Sequence, residues 1–131
     1  MSRHSRGFTI IELLFIIVLL LAASLIFFVQ RQNVVVAAND NQRKTAINAM
    51  YYGLEEVYYA QHQSYPETID SATLPSVDPT LFTDPDGNTF GTPQSEYHYE
   101  SVNCTNNQCK SYTLRATLQG EADYVKSSRH S

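Results

Sequence analysis

The sequence predicts an α+β protein: a long N-terminal α-helix, hydrophobic over its first half, packed against a small antiparallel β-sheet head. Three observations predict it. From Leu13 to Val29 the chain has one polar member, Ser24, and no charge. No proline precedes Pro66, and the other four (Pro75, Pro79, Pro85, Pro93) crowd into residues 67–95 with Gly87 and Gly91. Beyond that loop, short runs alternate apolar and polar residues, as half-buried strands do. With 131 residues the chain is near the size of one domain. An ordinary soluble globule does not carry such an apolar run, and one run excludes a multi-pass membrane protein. Nine Lys and Arg against 13 Asp and Glu give a charge of −4. That balance argues against a nucleic-acid partner held by bulk charge.

The apolar helix comes first. From Phe8 to Val29 the only polar residues are Thr9, Glu12 and Ser24. These 22 residues, at ~1.5 Å each, span the ~30 Å hydrocarbon core of a bilayer. Arg3 and Arg6 precede them and hold the N-terminus in the cytoplasm, so the chain after Gln30 faces outward. A secretory signal has a shorter core, ~7–15 residues, although Val36-Ala37-Ala38 resembles a small-residue cleavage site. A plain membrane anchor fits the length. Neither explains Glu12, because a carboxylate near the centre of a membrane helix costs ~2.5–3.5 kcal/mol and is usually paired or functional. If it merely snorkels to the headgroups, it is incidental.

The surrounding sequence is Gly7-Phe8-Thr9-Ile10-Ile11-Glu12-Leu13-Leu14. A short basic leader ending in Gly, then Phe-Thr, two aliphatics, Glu and a long apolar run resembles the class III signal of type IV pilins and pseudopilins. The resemblance implies that a prepilin peptidase in the membrane removes residues 1–7, cutting after Gly7, and methylates the new amine on Phe8. The mature chain would carry −6, since Arg3 and Arg6 leave with the leader. In the family the carboxylate matching Glu12 registers incoming subunits by pairing with a neighbour's N-terminal amine. The physics agrees: the methylated amine stays cationic, and an amine and a carboxylate each cost several kcal/mol in an apolar core unless they meet. Phe8 and Glu12 are also i,i+4, so the pair closes either within one chain or between chains. The family pattern often has a Pro near the position of Val29 and a Gly near that of Leu21. Both are absent here, so a straight stem is expected.

Residues 30–65 continue the stem as an amphipathic helix. Ala46, Ile47, Met50, Leu54, Val57, Tyr58 and Gln61 recur at 3–4 spacing, whereas Asn39 and Asp40 weaken helix propensity and Val34-Val35-Val36 also suits a strand. Gly53 costs ~1 kcal/mol relative to Ala and is either a close-packing site or incidental. The helix should end at Ser64-Tyr65-Pro66, because the residue before Pro avoids the α region. Residues 66–131 then form the loop and small head. Residues 96–103 and 109–119 read as a hairpin with Thr105-Asn106-Asn107-Gln108 in its turn, and Ala122–Lys126 as a third strand. Met50, Leu54, Val57 and Tyr58 are the expected cover for the sheet. The whole arrangement is pilin-like.

The chemistry-bearing residues are few. Cys104 and Cys109 lie outside the reducing cytoplasm and should form a disulfide; two thiols without a nearby His make a poor metal site. Asp84, Asp86 and Asn88 place oxygens at alternate positions before and after Gly87, faintly like a calcium loop without its later Glu. A Pro-Asp-Gly turn explains them better, so no cofactor is expected. No phosphate loop or nucleophile–base pair is visible and the four His are scattered, so no enzyme is expected. Charge is segregated. Residues 51–103 hold nine acids and no Lys or Arg, between flanks of net +2 on either side. That describes a solvated acidic face, or copies attracting head to tail.

The expected function is a structural subunit of a type IV pilus, serving adhesion, motility or DNA uptake. Its partners would be its own copies, the prepilin peptidase and the membrane assembly machinery. It would sit as a single-pass protein in the cytoplasmic membrane before assembly and at the cell surface afterwards. The alternatives are a pseudopilin of a type II secretion or competence machine, and a membrane-anchored binding domain that never assembles.

Overall fold

A computed structural model describes residues 7–131 of the chain, so the leader expected over residues 1–7 lies outside the described residues except for Gly7. The fold is α+β. One α-helix, α1 (Ile10–Tyr52), is followed by a π-helical segment (Gly53–Tyr58) and a last α-turn, α2 (Tyr59–His62). A 3-10 turn (Pro79–Phe82) precedes β1 (Tyr97–Thr105), β2 (Gln108–Ala116) and β3 (Tyr124–Ser127). The chain divides into two compact units at Val35 and Val36.

In the first unit, α1 is uninterrupted from Leu19 to Gln30, as the absence of Gly and Pro there implies. Val34-Val35-Val36 and Asn39-Asp40 are also helical: with no proline to block propagation, neither β-branching nor weak propensity breaks the i→i−4 ladder.

In the second unit, the later part of α1 covers an antiparallel sheet of order β1-β2-β3. The 3–4 spacing holds over Ala46, Ile47, Met50 and Leu54, all fully buried against Tyr65, Tyr97, Tyr112, Leu114 and Ala116. Val57 and Tyr58, expected in the same row, are only half-buried. The π segment is the cause. Its wider i→i+5 turns carry the following residues round the axis, so that Glu55 turns inward instead. The helix ends where expected. Gln63 adopts a left-handed φ of 54° and donates its N–H to the Tyr59 carbonyl, and Tyr65-Pro66 follows.

Gly53 is a close-packing site. A Cβ there would lie 2.8 Å from Val77 Cγ2 and 3.4 Å from Ser76 Oγ. Gly53→Ala therefore gains ~1 kcal/mol of helix propensity but incurs overpacking of about 1–3 kcal/mol. The expected result is a lower melting temperature for the full chain in detergent, and an unchanged or raised one would count against this packing.

The hairpin is tighter than expected. Asn106 (φ 51°) and Asn107 (φ 61°) alone make a two-residue turn with both central residues left-handed, which Asn tolerates and strand twist favours. Thr105 and Gln108 thus belong to the strands and pair with each other. Cys104 and Cys109 face each other across the ladder and are disulfide-bonded. Cys109 also exchanges two backbone hydrogen bonds with Tyr65, of 2.8 and 2.9 Å, fastening the hairpin to the end of the helix.

Candidate functional site

Two regions carry charged groups in unusual surroundings. The first is the start of α1. Thr9 is its N-cap: its hydroxyl accepts the Glu12 N–H at 3.3 Å, and its carbonyl accepts the Leu13 N–H at 3.1 Å. Thr9-Ile10-Ile11-Glu12 has the spacing of a capping box. Gly7, Phe8, Thr9 and Glu12 line a shallow depression there, with Phe8 72% exposed. No donor among the described residues reaches the Glu12 carboxylate.

From that point to Val35 every residue of the stem is exposed. Its large apolar side chains up to Val29 range from 38% exposure at Ile16 to 87% at Ile10. α1 thus contains one segment long and apolar enough to cross a membrane, and none of the described residues covers it.

The second region is a set of buried carboxylates in the head. Arg43 is wholly buried, its Nη1 3.0 Å from Asp40 Oδ1 and its Nη2 2.7 Å from Asp86 Oδ2. Asp40 also accepts the N–H groups of Gln119 (2.9 Å) and Gly120 (2.8 Å). Burial alone would raise the Asp40 pKa. The two backbone N–H groups and the guanidinium outweigh it and hold the carboxyl below its ordinary range.

Asp84 is the hub of the next loop. Its oxygens accept the N–H groups of Asp86 (3.0 Å), Asn88 (2.8 Å) and Glu96 (3.0 Å), and the Asn88 amide at 3.4 Å. Here too burial is outweighed by the donors, and the pKa is lowered. Asp84, Asp86 and Asn88 therefore do come together in one turn. The Asp84 carboxylate faces N–H donors and that of Asp86 the Arg43 guanidinium, and among the described residues no group of three or more His, Cys, Asp or Glu converges as metal ligands would.

Glu55, turned inward by the π segment, accepts the hydroxyls of Tyr112 (2.8 Å) and Tyr65 (3.0 Å) and the N–H of Arg129 (3.1 Å). Burial, and then the adjacent Glu55 carboxylate, push the Tyr112 phenol far above its ordinary pKa, so it remains a donor at any physiological pH.

Asp40 and Asp84 give the head a defined acid response. Their folded pKa values lie below the unfolded value, ~3.9, so their contribution is complete above that pH and is lost as pH falls through the folded values. Thermal melts of the full chain should give a nearly flat Tm from pH 7 to 5 and a progressive fall from pH 4 to 2. A flat profile down to pH 2 would contradict these assignments.

Of the sequence-predicted residues, Gly7, Phe8 and Glu12 lie together at the start of the stem, and Cys104 and Cys109 are bonded. Sequence reasoning missed Asp40, Arg43 and Glu55. Asp40 and Arg43 carried one signal, an i,i+3 opposite-charge pair in a stretch of helix, Gln32 to Leu54, whose one other charge is Lys44. Glu55 carried none, because its burial follows from the π segment. Compared with family models, with curated proteins and with solved structures, the chain matches nothing in any of the three.

Proposed function

We propose that the chain is a structural subunit of an extracellular type IV pilus filament, assembled through its apolar stem after the leader is removed. One observation carries this reading: a long uncovered apolar helix bears a lone carboxylate, without an intrachain donor among the described residues, four residues from Phe8. Each large aliphatic side chain is stabilised by roughly 1.5–3 kcal/mol on leaving water, so this surface needs lipid or copies of itself around it. Lipid satisfies the apolar side chains but supplies no cation for Glu12. Bundling with other copies satisfies both, because the cationic amine of Phe8 on one subunit meets Glu12. The head supports the same reading as a compact unit with its own core and disulfide, suited to stand outside the membrane.

The test is N-terminal sequencing with intact mass on protein sheared from the cell surface. The expected product begins at methylated Phe8. Retention of Met1 to Gly7 would overturn the proposal in favour of a membrane-anchored domain that does not assemble.

A further inference from the structure

We infer that neighbouring heads dock edge to edge, the β1 edge of one copy against the β3 edge of the next. This inference rests on the filament reading above and specifies the head surface that it requires. Among the described residues the sheet has two open edges, because β1 and β3 each pair only with β2. Open edges invite pairing with other chains, and their charges decide which pairings are tolerated.

The two edges carry opposite charge. On the β1 side stand Glu67, Glu96 and Glu100, none with an ion-pair partner among the described residues. β1 itself has no Lys or Arg. Glu67 and Glu100 also flank a groove of about 390 Å³ floored by Ile69, Phe90 and Tyr97. β3 reads Tyr-Val-Lys-Ser and has no acid. Its Lys126 ammonium lies 5.3 Å from the centroid of the Tyr51 ring and 5.5 Å from that of Tyr124, with no carboxylate partner among the described residues. The neighbouring cations are already committed, Lys44 to Glu121, Arg115 to Asp123 and Arg129 to Glu56. Lys126 is thus the cation of the β3 edge left for a neighbour.

Apolar exposure follows the same division. In the head unit the large exposed hydrophobics are Tyr52, Val102 and Val125. Val102 lies on β1 two residues from Glu100, and Val125 lies on β3 beside Lys126. Each edge therefore offers one exposed valine on its outward face and one uncompensated charge on its helix-facing side: Lys126 across from buried Leu114 on the β3 edge, and Glu67, whose carbonyl accepts the hydroxyl of Ser101 across from buried Tyr112, on the β1 edge. A β1–β1 contact would set Glu67 against Glu67, and a β3–β3 contact Lys126 against Lys126, so both symmetric pairings are repelled. The β1–β3 pairing alone joins opposite charges. It uses different surfaces on the two copies, and such contacts propagate as open helical assemblies instead of closing into a dimer.

The test is charge exchange in the full chain, read as filament yield from cells with leader removal monitored alongside. Glu67→Lys and Lys126→Glu should each lower the yield on the order of tenfold, and the double variant should restore it to within about twofold. Melting of each variant checks that the head is folded. Zero-length carbodiimide cross-linking of wild-type filaments grown from mixed isotope-labelled subunits needs no variant at all. It should join Lys126 of one copy to Glu67, Glu96 or Glu100 of another. Yields indifferent to the exchanges, a double variant no better than the singles, or interchain links that avoid Lys126 would overturn the docking and leave the filament reading standing. A chain that never assembles would overturn both.

Discussion

Glu12→Ala and Glu12→Gln are expected to enter the membrane and lose the leader normally, yet to yield at least about 100-fold fewer filaments. Without the carboxylate, insertion becomes easier by the ~2.5–3.5 kcal/mol that the charge costs in hydrocarbon, so early steps are not impaired. Assembly is different. In the proposed filament the methylated amine of Phe8 stays cationic, and burying it without its partner costs about 3–5 kcal/mol. At 1.4 kcal/mol per tenfold, that is a factor of at least about 100 in the association constant. The glutamine variant separates two roles of this position. It keeps a polar side chain of the same length at the third position of α1, so the capping arrangement with Thr9 survives while the charge is lost. Normal filament yield from Glu12→Gln would show that helix capping suffices and that no amine–carboxylate pair forms.

The largest effect on the head is expected from Arg43→Met. The guanidinium is fully buried and lies between Asp40 and Asp86, and the Asp40 side chain is only 3% exposed. A methionine fills much of the volume but leaves Asp40 charged, buried and without a cation. Breaking a buried pair in this way costs about 3–5 kcal/mol. For a unit of this size each kcal/mol lowers Tm by roughly 4–8 °C, so a fall on the order of 15–30 °C is expected for the full chain in detergent. The double variant Asp40→Asn/Arg43→Met removes the stranded charge and keeps an oxygen for the Gln119 or Gly120 N–H. It should recover at least about half of the loss. A single variant that melts within a few degrees of wild type would mean that Arg43 does not hold this part of the head together.

Ala46, Ile47, Met50 and Leu54 follow one helical phase, and each meets the sheet. Val57 and Tyr58 follow the same phase in the sequence but lie in the second half of the π segment, where the phase no longer applies. The hairpin shows a related limit. Four turn-forming residues between the cysteines correctly placed the reversal, but the chain used only Asn106 and Asn107, because two left-handed residues match the twist of the flanking strands. Gly53 was ambiguous in the sequence and is explained by Val77, which is distant in the chain and adjacent in the fold.

Hydropathy, proline placement and cysteine number established a membrane-length apolar helix, its end near Tyr65-Pro66, a small following sheet and one disulfide. These are properties of neighbours along the chain, where a period of 3.6 or 2 leaves a direct imprint on residue order. Glu12, the acid proposed to pair with the amine of Phe8, was legible for the same reason. The pairs Arg43–Asp86, Glu55–Tyr112 and Asp40–Gln119 span 43, 57 and 79 residues, and no local period records them. Packing α1 on the sheet excludes water from Asp40, Arg43 and Glu55, and each then needs whatever partner the distant loops and the C-terminal segment bring within hydrogen-bonding reach.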